Sequence, residues 1–304
     1  MSDVFVHTFA PMGTVVTIQV VGHGESDAGR SEREAGVSRA AAWFRVVEDC
    51  CSRFDPASEL RRLTERVGTA VPASDMLFEA LRFALAVAEE SSGAFDPTVG
   101  RRMEARGFDR NYQTGERAAS AVTVSDSVSW RDVVLDDGAR TVTLLKPLVL
   151  DLGAVAKGLA VDVAAKELGE FENFAIDAGG DLYLGGLNVD GKPWTVGIRH
   201  PRDRSLLIET LHVSNNAVCT SGDYEKISPM NDNEHHIMDA RTGATANALA
   251  SVTVVAPSAM VADALATAAF ALGPADGMSF LERHGVRGLM VTPALERFET
   301  SAIA

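Results

Sequence analysis

Apolar side chains recur along this chain with two periods, every second residue in some stretches and every third or fourth in others. The short period predicts strands and the long one helices, because side chains alternate across a strand but recur by turns on a helix. Met12 to Val21 alternates Val, Thr, Ile and Val and predicts a strand. Gly22 to Glu34 is polar and reads as loop. Ala35 to Cys51 then carries a helical pattern that ends at the turn-like Phe54-Asp-Pro-Ala-Ser58. Ser74 suits the N-cap of a helix running from Met76 to about Ser91, with Gly93 as its stop. Arg101 to Ser120 is charged and poor in large aliphatics, the composition of a surface excursion. Val122 to Leu150 predicts short strands around an Asp136-Asp-Gly138 turn.

In the second half, a helix from Val155 to Leu168, closed by Gly169, precedes a strand at Asn173 to Ile176. Trp194–Arg199, Leu206–Val213, Ala217–Thr220 and Ser251–Val255 read as further strands. Ala259–Leu272 is apolar on every side and predicts a buried helix, and Pro274–His284 another. Strands and helices mix without regular βαβ alternation, and no internal repeat is present. The expected fold class is α+β, built as one chain-spanning unit over residues 1–304, either a single domain or two intertwined subdomains.

Composition narrows the function. The 304 residues are 46% hydrophobic and 23% charged, enough for a substantial core. A formal net charge of -14 argues against nucleic acid as a partner, since long polyanions call for a basic face. Smaller anions stay open, because backbone N–H groups and a divalent cation hold phosphate against an acidic background. Cys50, Cys51 and Cys219 are an odd number without metal-ligand spacing and read as small apolar residues. The first residues lack a charged start followed by an apolar run, and Ala259–Leu272 is too short to span a bilayer and carries Asp263. A cytoplasmic protein without a membrane segment is therefore expected.

Four stretches could carry chemistry. Asp151-Leu-Gly-Ala-Val-Ala-Lys-Gly158 opens a helix, whose free N–H groups and Lys157 suit a phosphate, while Asp151 could accept from a base or ribose. The same strand-to-helix turn serves structure at least as often. Asp177-Ala-Gly-Gly-Asp181 lets backbone approach a ligand closely, or simply bends. Asp263 and Thr267 share one face of an apolar helix. A buried carboxylate must be paired, protonated or metal-bound, and carboxylate with hydroxyl is the hard-oxygen set magnesium prefers. His235-His-Ile-Met-Asp-Ala-Arg-Thr-Gly243 offers His236 and Asp239 for proton transfer, or a structural turn. Thr220-Ser-Gly-Asp-Tyr224 adds hydroxyls beside a strand end.

Met12-Gly-Thr14, Phe54-Asp-Pro-Ala-Ser-Glu-Leu60, Gly93-Ala-Phe-Asp-Pro-Thr-Val-Gly100, the Asp151, Asp177, Ser221 and His236 segments, and Ala262-Asp-Ala-Leu-Ala-Thr267 follow one another along most of the chain. In this order and spacing the series resembles the ApbE family, the FAD:protein FMN transferases. The resemblance implies an ApbE-like fold of mixed, largely antiparallel sheets with packed helices and a cleft for FAD. It implies Mg2+ beside the FAD diphosphate, with Asp263, Thr267 and the Ala154 carbonyl as ligands. Met12, Phe54, Ala94, Phe95, Asp96, Asp151, Lys157, Gly179, Gly180, Asp181, Ser221, Gly222 and Ile237 fall at FAD-contacting or cleft-shaping positions. His236, Asp263 and Lys157 fall at the catalytic ones.

The implied reaction is magnesium-dependent transfer of the FMN half of FAD to a Thr or Ser hydroxyl of an acceptor protein, with release of AMP. Water as acceptor would instead make the chain an FAD pyrophosphatase, and absence of turnover would make it a flavin-binding protein. There are two departures. Ala240 stands where the family often has proline, and Ala266 where many members have serine, so one hydroxyl beside the cation is missing.

Overall fold

The structure, a computed structural model, describes residues 2–23, 27–112, 114–118, 120, 122–123 and 127–301. Strands β1 (Ser2–Phe9) and β2 (Val16–His23) pair antiparallel, and α1 (Asp27–Cys51) follows. Next come α2 (Glu59–Thr64), β3 (Val71–Pro72), α3 (Asp75–Glu90) and α4 (Gly100–Ala105). β4 (Val133–Asp136) and β5 (Thr141–Leu144) lead to α5 (Ala156–Glu167). The chain then runs through β6 (Phe174–Ala178), β7 (Asp181–Gly185), β8 (Trp194–His200), β9 (Asp203–Val213) and β10 (Asn216–Gly222). Four short strands follow: β11 (Ile227–Ser228), β12 (Asn231–His235), β13 (Met238–Asp239) and β14 (Ala244–Thr245). It closes with β15 (Ser251–Ala256), α6 (Ala259–Leu272), α7 (Pro274–Arg283), β16 (Arg287–Val291) and β17 (Arg297–Glu299).

An eight-stranded sheet in the order β1-β2-β6-β7-β10-β15-β16-β17 forms the frame. Every neighbouring pair in it is antiparallel. Alternation along its strands feeds two cores, one per face. Val16, Ile18, Val20, Ile176, Ala217, Cys219, Val252, Val254 and Met290 point into the main core, against α1, α5, α6 and α7. The intervening Ala175, Val218, Leu289 and Val291 point the other way, where Val196, Ile198, Leu211 and Val213 of the β8–β9 hairpin cover them. The α+β, largely antiparallel architecture expected from the sequence is what is found.

α6 is the helix that matters most for the site. Its residues from Ala262 to Phe270, save Thr267, are buried, so its apolar composition needs no amphipathic stripe. Ser258 caps it by accepting from the Val261 N–H. Asp162 of α5 accepts from Ser258 Oγ and the Ala259 and Met260 N–H groups, an anion on the positive end of the helix. Gly158 makes this approach possible: a Cβ there would sit 2.5 Å from the Ala259 carbonyl oxygen.

Several boundaries differ from the sequence expectation. The helix read from Ala35 begins at Asp27, because the polar residues of its first turns, such as Arg30 and Glu32, simply face solvent. Residues 24–26 of that presumed loop lie outside the described residues. β1, α2, β7, β16 and β17 were not foreseen, and β6 runs on to Ala178. The segment from Arg101 to Ser120 is not a mere excursion. α4 opens it, Met103, Glu104 and Asp109 are buried, and Glu104 accepts from Arg101 and the Ser120 N–H.

Candidate active site

α5 and α6 bring Lys157 and Asp263 together with Asp181 at the start of β7. The Lys157 ammonium ion-pairs with Asp181, which is 1% exposed. Burial opposes the charge on Lys157, but Asp181, and then Asp263, outweigh it and hold the ammonium protonated above its ordinary range. Asp263 is buried too. Burial first, then the like charge of Asp181, push its carboxyl well above the usual carboxylate range, against the pull of Lys157 and of the Gly158 N–H. Its Oδ2 is buried with no hydrogen-bond partner. An orphaned carboxylate oxygen in a core costs free energy unless something arrives to use it.

Oxygen donors surround that atom's helix. Thr267 Oγ1, one turn on from Asp263, lies 2.9 Å from Ser221 Oγ of β10. Ala266 is fully buried and offers no hydroxyl, so Ser221 is the second hydroxyl on this wall. Ala154 lies two residues ahead of α5 and is half-buried, so its carbonyl is outside the regular run of that helix. Carboxylate, hydroxyl and carbonyl oxygens with one unmet valence fit a hard divalent cation. The described residues hold no cluster of three or more His, Cys, Asp and Glu with metal-ligating geometry. Any cation here would therefore depend on hydroxyl, carbonyl, water or substrate oxygens as well.

The Gly179–Gly180 turn between β6 and β7 presents Asp181. Both glycines have positive φ, 65° and 100°, and a Cβ on Gly179 would lie 2.0 Å from Thr14 Oγ1. That contact joins the turn to the Met12–Thr14 turn, where Met12 itself has φ 50°. The sequence reading is thereby tied together at one sheet end: Met12, Gly179, Gly180 and Asp181 are neighbours.

Asp151 is already engaged. Arg53 donates to its Oδ2 at 2.6 Å and the Gly153 N–H to its Oδ1 at 2.7 Å. Burial opposes ionisation, yet Arg53 and the Gly153 N–H hold the carboxyl below its ordinary value. Arg53 also stacks over the Phe54 ring, 4.1 Å from its centroid. Asp96 is spent on local structure as well, accepting from the Thr98 N–H and hydroxyl and the Trp130 N–H. The side chains of Ala94, Phe95 and Ile237 are in the core. Gly222 lies under the Tyr224 ring, where a Cβ would meet it at 2.8 Å.

His236 sits on the loop between β12 and β13. Its backbone N–H donates to the Lys226 carbonyl at 3.1 Å, and its Nδ1 lies 3.4 Å from the same oxygen. Burial, then the positive charge of Lys226, push its pKa down to about 3, so the imidazole is neutral near pH 7. His236 and Asp239 make no described bond with each other. Asp239 is taken by Arg241, whose guanidinium reaches both carboxylate oxygens from two residues away. Ala240 donates its N–H to the Ala94 carbonyl at 3.1 Å, a bond that a proline could not make. Arg102 of α4 and Arg106 at its C-cap donate to the Ala240 and Gly243 carbonyls, respectively. Arg53, Lys226, Arg102 and Arg106 were missed in the sequence, where only their charge was visible.

This geometry has relatives. The sequence profile of the ApbE family matches residues 12–290. The FAD:protein FMN transferase of Vibrio cholerae is 29% identical over 310 residues, covering 98% of this chain and 90% of that protein. That of Treponema pallidum is 34% identical over 259 residues, covering 78% of this chain and 71% of the other. Among solved structures, the flavin transferase ApbE from Vibrio cholerae superposes with a TM-score of 0.83 at 27% identity, covering 99% of this chain and 98% of that one. The ApbE protein from Thermotoga maritima gives 0.82 at 28% identity, covering 98% and 97%.

Proposed function

The chain belongs to the ApbE family, and from that premise we propose that it moves the FMN half of FAD onto a Thr or Ser hydroxyl of an acceptor protein, with magnesium as the helping cation. The observation that carries this is the buried oxygen wall of α6, where the unpartnered Asp263 Oδ2 adjoins the Lys157–Asp181 pair. Asp263, Thr267 and the Ala154 carbonyl would hold the cation, with Ser221 supporting Thr267. Magnesium, when bound, supplies positive charge against the diphosphate oxygens.

The acceptor hydroxyl oxygen attacks the phosphorus of the FMN half. The bond from that phosphorus to the bridging oxygen breaks, and AMP leaves with the bridging oxygen. The hydroxyl proton passes to the neutral His236, whose Nδ1 faces the Lys226 carbonyl and whose Nε2 is then the free base. A base held down to about 3 is weak. The anionic diphosphate offsets Lys226 and Lys157, the cations that lower it, so substrate binding itself strengthens the base. Lys157 stays protonated throughout and meets the charge that gathers on the departing oxygen.

Protein, FAD, magnesium and a cell extract are mixed, and the proteins are separated under denaturing conditions. A flavin-fluorescent protein band that disappears on chelation is expected. Free FMN and AMP without a labelled band would make water the acceptor, and no FAD consumption at all would leave a binding protein.

A further inference from the structure

Three cations converge on the cleft, and two of them already have a carboxylate partner within the protein. Arg53 is committed to Asp151 and the Phe108 carbonyl, and Lys157 to Asp181. Lys226 forms no ion pair among the described residues, although the charges that act on it are those of Lys157, Asp151, Asp263 and Arg53. Its residue is solvent-exposed, at the rim rather than the floor.

The backbone that carries Lys226 is pinned on all sides. Gly222 ends β10 beneath Tyr224, and Asp223 is held by the Ala250 carbonyl through its N–H and by both terminal nitrogens of Arg202, each at 2.7 Å. Ile227 pairs with His235 across β11 and β12, and the Lys226 carbonyl receives the His236 N–H. A fixed backbone carrying an ammonium that feels the charges of Lys157, Asp151 and Asp263 without pairing to any of them is a poor use of a lysine unless an anion completes it. An ordinary solubilising lysine needs neither feature.

We propose that Lys226 is a specificity-determining residue of the cleft, its ammonium holding the diphosphate of the dinucleotide while its carbonyl sets the orientation of His236. This rests on the transferase function proposed above and adds the residue that reads the phosphate and couples it to the base. The reacting hydroxyl, the phosphate and the imidazole are then arranged around one residue of one turn. Loss of the side chain leaves the carbonyl in place, so binding and base orientation separate in the variants.

The test compares FAD with riboflavin, which has the same ring and no phosphate, by quenching of flavin fluorescence in EDTA, so that the cation site plays no part. Wild type should bind FAD more tightly than riboflavin. Lys226→Met should weaken FAD by about 10–100-fold, the worth of a charge-assisted hydrogen bond, and leave riboflavin unchanged. Lys226→Arg should stay within a few-fold of wild type, and the melting temperatures of both should match it. As a second readout, the His236 ring should not titrate between pH 5 and 8 in wild type, and its pKa should rise in Lys226→Met. Equal FAD affinity in wild type and Lys226→Met would overturn the assignment while leaving the transferase function standing. Wild type that fails to prefer FAD over riboflavin would sink both.

Discussion

Asp263 and His236 belong to one charge cluster, linked through Lys157 and Lys226, yet the chain holds them by opposite means. Asp263 stands on a helix buried among Ala262, Ala264, Ala266 and Phe270, capped by Ser258 and Asp162, with α5 closed down on it at Gly158. His236 stands on a loop between strands of five and two residues, and the turn that follows the second strand is held by Arg102 of α4 and by Arg106 at its C-cap. The first wall must keep in place a carboxyl group whose ionisation burial and Asp181 oppose, which takes a packed core. On the proposed function the second wall would receive a hydroxyl arriving on another protein, and it stands on a loop where His236 is only half-buried. On that reading, rigidity sits with the phosphate and access with the acceptor.

That contrast can be broken most severely at Asp263. Asp263→Asn should reduce flavin transfer on the order of 10³-fold, the scale lost when a transition-state charge partner is removed. It should leave the melting temperature of the cation-free protein nearly unchanged, because the native carboxylate has an unmet oxygen to lose. Single-turnover labelling and thermal melts check the two halves. Gly158→Ala attacks the same wall through packing. Its methyl group meets the Ala259 carbonyl, so it should cost about 1–3 kcal/mol in denaturant unfolding, and transfer should fall with it as Lys157 and Asp263 part. Arg102→Met loosens the other wall. It removes the bond to the Ala240 carbonyl and should lower kcat by about tenfold, with global stability changed by less than the Gly158 variant. Faster amide exchange at 236–243 would locate the effect.

The two walls were also unequally legible in the sequence. α6 could be bounded to the residue, since a run apolar on every side has no other stable home, and a lone Asp in it demands a reason. The Asp177–Asp181 glycines marked a turn, although the strand beyond it went unread because Leu182 and Tyr183 are only partly buried. The His236 wall was visible only as a motif. Its partners come from residues such as Arg102 and Lys226, and a charged side chain in a sequence does not disclose which carbonyl or anion it will reach. Asp239 stayed open to two readings, proton transfer with His236 or a structural turn, because spacing does not disclose that Arg241 takes its carboxylate. The polar first turns of α1 were lost because solvated residues such as Arg30 and Glu32 carry no apolar period.

The most direct measurement is a calorimetric titration of magnesium into the protein with FAD present, in wild type and Asp263→Asn. Saturable binding in wild type that weakens by about 100-fold or more in the variant is expected if the α6 carboxylate grips the cation. Equal magnesium affinity in both proteins would mean that the cation is held elsewhere and that the buried oxygen of Asp263 serves something other than the reaction.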